Sequence, residues 1–282
     1  MSVPSPSPSP QPVAPAAPPQ RPTVVPRRLR RPLLIAAVLV PLVIVSAWLC
    51  QVRFSGLWHD LGKGLEVIRF FFPPDWSSLR EMAGPALVTV LLAALATPLG
   101  VLLSLGFGLA GARNIAPPWL RTTARALIGV ERALPEIIVL LLLVAALGVG
   151  PFPGVIALAI GSVGMLGKLF ADAIEEIDPK VLESVSCVGA TRWQVIRHAV
   201  LPEVMPAFLA NSIFRFEVNI RASVLLGAVG AGGIGFELSK AMSLLEYERA
   251  MMAVLVTLLL VFGAERVSDW LRAKVMDGGR LA

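Results

Sequence analysis

Four polar residues interrupt a long apolar run in the second half of the chain: Arg215, Glu217, Asn219 and Arg221. If that run crosses a bilayer, each charge near its centre costs ~2.5–3.5 kcal/mol on insertion scales, so these groups must face partners or water. Glu217 and Arg221 stand four residues apart and can pair on one helix face. Arg215 then has no local partner, and Arg132, Pro135 and Glu136 of an earlier apolar segment are the groups placed to meet it. Two roles stay open. The charges either lock helices together as ion pairs, or some of the arginines line a path for an anion, which a guanidinium recognises well. Covalent chemistry has little to stand on. Two His (His59, His198) and two Cys (Cys50, Cys187) supply neither a metal cluster nor a disulfide framework. Asp172 and Asp178 fall in or beside a polar loop and are not paired inside an apolar segment. No catalytic residue and no metal ligand is assigned, which leaves an intramembrane enzyme as the weaker reading.

The rest of the chain must hold those charges in place, and its composition says how. Of 282 residues, 56% are hydrophobic and only 16% charged, with a mean hydropathy of +0.75. Soluble domains carry ~45–50% and ~25%, and so few charges would leave large apolar patches on a soluble surface. The expectation is an all-α polytopic membrane protein with about six crossings. A net charge of +6 and a pI of about 10 invite a nucleic-acid reading. Lys and Arg retained in cytoplasmic loops explain them better.

Residues 1–32, with 11 of the 24 prolines, read as a disordered cytoplasmic tail. Residues 33–51 form the first crossing. Within 56–80, Leu57, Leu61, Leu65, Ile68 and Phe72 make one apolar stripe, which predicts an amphipathic helix along the outer face, stopped by Pro73-Pro74. A core over 84–272 follows, and 273–282 is a cytoplasmic C-terminus. In the core, 84–112 carries no charge, a third crossing is expected near Ala126 to Leu147, and a Gly/Pro hairpin covers 148–154. Further crossings are expected over Val155 to Ala173, Val204 to Val229 and Ala250 to Val267. With both termini inside, 16 of the 25 Lys and Arg fall on inner segments and six on outer ones, the asymmetry expected of that orientation.

The inner loop over 172–203 is the most informative stretch. Asp178 can cap a helix that starts at Pro179, and Gly189 suits the left-handed residue that ends it. Thr191-Arg192-Trp193-Gln194 makes a capping box for a second helix, and Leu201-Pro202 introduces the next crossing. Leu182, Val185, Trp193, Ile196 and Val200 give the pair an apolar side. Two phosphate-loop lookalikes fail. Gly230 to Gly235 fits G-x-G-x-x-G but follows an apolar helix where a strand is required. Gly167-Lys168 lacks the first Gly, replaced by Ser162, and the Ser or Thr, replaced by Leu169.

Glu183, Gly189, Leu201 and Pro202 fall on the spacing E-x5-G-x11-L-P, which resembles the EAA loop of ABC importer permeases; Ser184 and Val185 replace its two alanines. The text Gly164 to Ala171, Ile174 to Asp178, Val195 to Arg197, Arg215 to Arg221 and Val229 to Phe236 is similar to phosphonate-type (PhnE-like) permeases, over roughly residues 55 to 272. Phosphite importers share it. The resemblance implies a type I importer fold in a bacterial inner membrane. It also implies pairing with a second copy of the chain, two cytoplasmic ATPase subunits that bind ATP and Mg, and an extracytoplasmic binding protein. This chain itself would hold no cofactor. Glu183, Gly189, Ala190, Thr191, Arg192, Leu201 and Pro202 would form the coupling helix that engages the ATPase. Arg132, Glu136, Arg215, Glu217, Asn219 and Arg221 would lie on the path or pair within the membrane, where a dianionic phosphonate is the expected cargo. Gly230, Gly232, Gly233 and Gly235 would form an irregular outer loop or gate. Phosphite, another phosphate-like oxyanion or another small solute is the alternative cargo.

Overall fold

A computed structural model describes residues 30–51 and 57–278. Most of the Pro/Ser-rich segment and the last four residues of the expected C-terminal tail lie outside the described residues. Residues 1–63 and 64–282 form two separate units. The first holds α1 (Arg30–Leu49), over the expected first crossing. α2 (Leu57–Arg69) straddles the boundary and ends before Pro73-Pro74. Its stripe residues Leu65 and Ile68 are exposed. Asp75 caps the short turn Trp76–Ser78, and bonds from Ser77 hold its carboxyl below the usual range.

The second unit is built on α3 (Leu79–Gly111) and α6 (Pro151–Glu175). Gly100, Ser104 and Gly108 recur every fourth residue, so α3 presents a low ridge to α6. A side chain on Gly108 would come within 2.6 Å of Phe170 Cβ, and one on Gly100 would run into Ser162. Phe170 stacks on Phe208 with centroids 4.1 Å apart, in an apolar layer with Leu166, Ile174 and Val200. A second layer, around Leu92, Leu140, Leu158 and Leu226, fills the other end of the bundle.

Three helical stretches are long and apolar enough to span a bilayer: Trp76–Gly111, Pro151–Glu175 and Tyr247–Val275. A fourth is a pair bent by 53°, Arg192–Ala231 with Ile234–Ser243. α1 and α5 (Glu136–Leu147) are shorter apolar helices. The third expected crossing is therefore not one rod. It breaks into α4 (Pro118–Ala133) and α5, with Leu134 extended at φ −93°, ψ 122°. Proline bars the residue before it from the helical region, and Pro135 does this to Leu134.

α7 (Pro179–Ser186) starts as expected, with the Lys180 amide donating to Asp178 Oδ1 at 2.9 Å, and Gly189 takes φ 79°. α8 (Arg192–Val195) carries the capping box, the Thr191 amide donating to Gln194 Oε1 at 2.7 Å. Of the apolar residues of this pair, Trp193 is 76% exposed, whereas Val200 is buried. α9 (Leu201–Leu226) begins at Leu201-Pro202, and α8 leads into it through a widened turn at Ile196–Val200 without a break. A proline in the first turn of α9 lies close to where its missing N–H matters least, and the wide turn accommodates it.

The glycine segment is an irregular, largely buried break between two helices. A widened turn over Gly227–Ala231 leads through Gly232 and Gly233, both at positive φ, into α10 (Ile234–Ser243). Gly230 and Gly235 are buried and Gly235 is helical. The Ile234 amide donates to Thr89 Oγ1 at 2.9 Å, and the Gly150 amide to Gly230 O at 3.0 Å. Glycine is needed here for close approach: a side chain on Gly233 would meet Thr89 Oγ1 at 2.5 Å, and one on Gly235 would strike the Val224 carbonyl. α11 (Tyr247–Gly278) closes the fold and runs past the expected boundary at residue 272.

Candidate functional site

The polar residues of α9 alternate, and alternation on a helix separates them onto two sides. Residues 215 and 219 share one face, and residues 217 and 221 share another about 200° away.

The first face meets α5 and α6. Arg215 is 3% exposed. Its NH2 donates to Glu136 Oε1 at 2.7 Å, its Nε to Ser162 Oγ at 2.9 Å, and its NH1 approaches Met165 Sδ at 3.7 Å. Glu136 is one of the groups placed by sequence to meet this cluster, and it lies against Arg215. The break at Leu134-Pro135 places it there, as the first residue of α5. Gly161 makes room for it, since a side chain at that position would lie 2.5 Å from Glu136 Oε1. Ser162 donates to the Leu158 carbonyl at 2.7 Å, which turns its lone pairs toward Arg215 and Asn219 Nδ2. Asn219, fully buried, also donates to Thr97 Oγ1 at 2.9 Å. Its Oδ1 has no hydrogen-bond partner among the described residues. The pair with Glu136 is asymmetric: the arginine side chain is 4% exposed and the carboxylate 29%. A buried cation with a displaceable, half-open acceptor can exchange that acceptor for another oxyanion.

The second face meets α11. Glu217 accepts from Arg221 at 2.5 Å and from Arg272 at 3.3 Å. Arg221 also reaches Glu265 at 3.3 Å, Arg272 reaches Asp269 at 2.7 Å, and Arg272 stacks over Phe214. The expected Glu217–Arg221 pair forms, inside a larger lattice.

Arg132 does not join either cluster by a hydrogen bond. It packs against Gly164, beside Glu131, and lines a pocket of about 190 Å³ with Arg125, Ile128, Gly129, Lys168, Ala171 and Asp172. Nearer the loop end of α6, Glu175 accepts from Arg113 at 2.8 Å and from Arg125 at 2.5 Å. Along α7 and α8, Glu183, Thr191 and Arg192 are exposed, Ala190 is half-buried, and Val188 stands 83% exposed.

Sequence reading missed Ser162, Thr97, Glu131, Glu265, Asp269 and Arg272. The last helix did carry a signal, because 265, 269 and 272 are spaced to share one face. Ser162 and Thr97 gave none, since a hydroxyl in an apolar helix normally bonds its own backbone.

Residues 100–277 match the family described as binding-protein-dependent transport system inner membrane component. The chain belongs to that family. It is a transport permease component, not an enzyme. Similar proteins include a phosphate-import permease protein PhnE of Mycolicibacterium smegmatis, 39% identical over 86% of this chain; the chain spans 46% of that relative's length. A putative phosphite transport system permease protein HtxC of Stutzerimonas stutzeri is 34% identical over 90% of both chains. A phosphite transport system permease protein PtxC of the same organism is 43% identical over 71% of this chain and 73% of its own. Among solved structures, the MetNI methionine ABC transporter in an inward-facing conformation aligns with a TM-score of 0.61 at 21% identity, over 69% of this chain and 95% of that one. The permease therefore has the type I importer fold.

Proposed function

We propose that this permease forms the translocation pathway of an ATP-driven importer for phosphonates. The observation that carries the reading is the buried Arg215 with its half-open acceptor Glu136, on a chain whose relatives are named for phosphate and phosphite import. A dianion crossing the bilayer needs a fixed, pre-oriented cation at the centre of its route, and Arg215 supplies one. Asn219 and Ser162 orient it. Glu136 holds its charge balanced while the route is empty.

The protein sits in the inner membrane with both termini in the cytoplasm, as the Lys and Arg asymmetry supports. Two copies pair, two ATPase subunits bind ATP and Mg, and an extracytoplasmic binding protein delivers the cargo. Glu183 to Pro202 transmit ATPase closure into α9, because α8 and α9 form one continuous rod. Alternating access then exposes Arg215 to each side in turn. The glycine break from Gly230 to Gly235 acts as the outer gate.

The test is uptake of radiolabelled methylphosphonate into proteoliposomes that hold the permease, its ATPase and its binding protein. ATP-dependent uptake is expected, and Arg215→Gln should abolish it while leaving cargo-independent ATP hydrolysis intact. Loss of assembly in that variant would return Arg215 to a structural role. Uptake of phosphite with no uptake of methylphosphonate would shift the cargo within phosphorus oxyanions, the second reading that the relatives' names favour.

A further inference from the structure

α6 carries a ladder of polar contacts along its length. Arg215 touches it at Ser162 and Met165. Lys168 lies three residues beyond Met165 and six beyond Ser162, so about 5 to 9 Å further toward the coupling helices at 1.5 Å per residue. There the pocket between α4 and α6 opens. Arg125, Gly129 and Arg132 recur at i, i+4 and i+7 on α4 and face Lys168 and Asp172, at i and i+4 on α6. Gly129 and Ala171 keep it open.

The charges of this pocket are poorly matched. Three cations and one carboxylate line it. Arg125 shares Glu175 with Arg113 and donates its Nε to Gly111 O at 2.9 Å. Arg132 and Lys168 have no ion-pair partner within 4.0 Å among the described residues, and Asp172 has none either. With Arg125 answered by Glu175, the lining holds two unpaired cations and one unpaired carboxylate. Elsewhere in the bundle Glu217, Glu175 and Glu136 are each bound by an arginine. Two cations without an ion-pair partner beside a cavity, one to two turns from Arg215, are groups that an oxyanion can engage.

We propose that the α4–α6 pocket is a second oxyanion site, which takes a phosphoryl-type group through Arg132 and Lys168 as it leaves Arg215. The inference rests on the importer reading for the identity of the cargo but not for the existence of the site. The same chemistry occurs in two sources, a free phosphorus oxyanion and the headgroup of an anionic lipid, and the free anion is the occupant assigned here.

The experiment titrates methylphosphonate and inorganic phosphate into the full purified chain in a non-ionic detergent. It follows ³¹P line broadening and heat, with Arg215→Gln, Lys168→Gln and Arg132→Gln/Lys168→Gln beside the wild type. Binding that survives in Arg215→Gln and weakens by about tenfold or more in the double variant supports the site. Lys168 is exposed and unpaired, so Lys168→Gln keeps the test valid should the double variant fold poorly, and it should show the same loss in part. Unchanged affinity in both variants overturns the proposal. The second arm repeats the titration in nanodiscs of phosphatidylcholine and of phosphatidylglycerol. Equal binding in both supports the free anion. Loss in phosphatidylglycerol, together with lipid retention that depends on Lys168, assigns the pocket to headgroups and overturns a role in transit. A permease that binds phosphate at Lys168 yet imports no phosphorus oxyanion would break the importer reading and leave this one standing.

Discussion

Two charged clusters share helix α9, two residues out of step, and they are built on opposite plans. On the α11 side, Glu217 is closed in by two arginines, each of which has a further acidic neighbour. Glu217, Arg221 and Arg272 are each answered twice. On the α6 side, Arg215 has one carboxylate, one hydroxyl and a sulfur, the carboxylate is part-open, and the Asn219 carbonyl is unanswered. Burial is nearly the same for the two central residues, 6% exposure for Glu217 and 3% for Arg215, so depth does not separate them. Reciprocity does. A fully reciprocated lattice fastens helices, whereas an arginine left with a single replaceable acceptor is poised to take another.

The sharpest way to break this contrast is Glu217→Ala. It should lower stability by about 3 kcal/mol, near the lower end for breaking a buried ion pair, because both arginines keep an acidic neighbour. Chemical denaturation in detergent measures it, and a loss no larger than that of Arg215→Gln would erase the distinction. Arg215→Lys comes next. It keeps the charge but loses the fork that reaches Glu136 and Ser162 together. Methylphosphonate uptake should fall about tenfold while the melting temperature moves little. Gly161→Ala should cost uptake severalfold by pushing Glu136 out of place. Unchanged uptake in that variant would mean the α5–α6 contact matters for packing alone. The smallest structural effect belongs to Trp193→Ala, within about 0.5 kcal/mol as for an exposed site, with ATP hydrolysis uncoupled from transport.

Much of this was legible in the sequence because membrane helices write their constraints locally. The Glu217–Arg221 pair follows from spacing, the caps at Asp178 and Thr191 from side-chain chemistry, and the left-handed Gly189 from the end of α7. What stayed hidden depends on which helix lies against which. Ser162 becomes a hub only because α9 lays Arg215 and Asn219 across it. Gly161 and Gly164 carry no signal of their partners, and they are pockets for the carboxylates of Glu136 and Glu131. Pro135 was in view, but that it would split a crossing into α4 and α5 depends on α6 supporting the break. Trp193 falls on the apolar side of the helix pair by pattern, and that pattern does not foretell its 76% exposure.

The junction between α8 and α9 has a mechanical corollary. From Arg192 to Val229 the backbone is one helical shaft, about 57 Å long at 1.5 Å per residue, with the exposed Trp193 at one end and the glycine break at the other. Arg215 and Glu217 project from nearly opposite sides of that shaft. A rotation of that shaft about its axis would therefore shift Arg215 against Glu136 and Glu217 against α11 in the same stroke. The clasp and the socket share one axle, so neither would move alone.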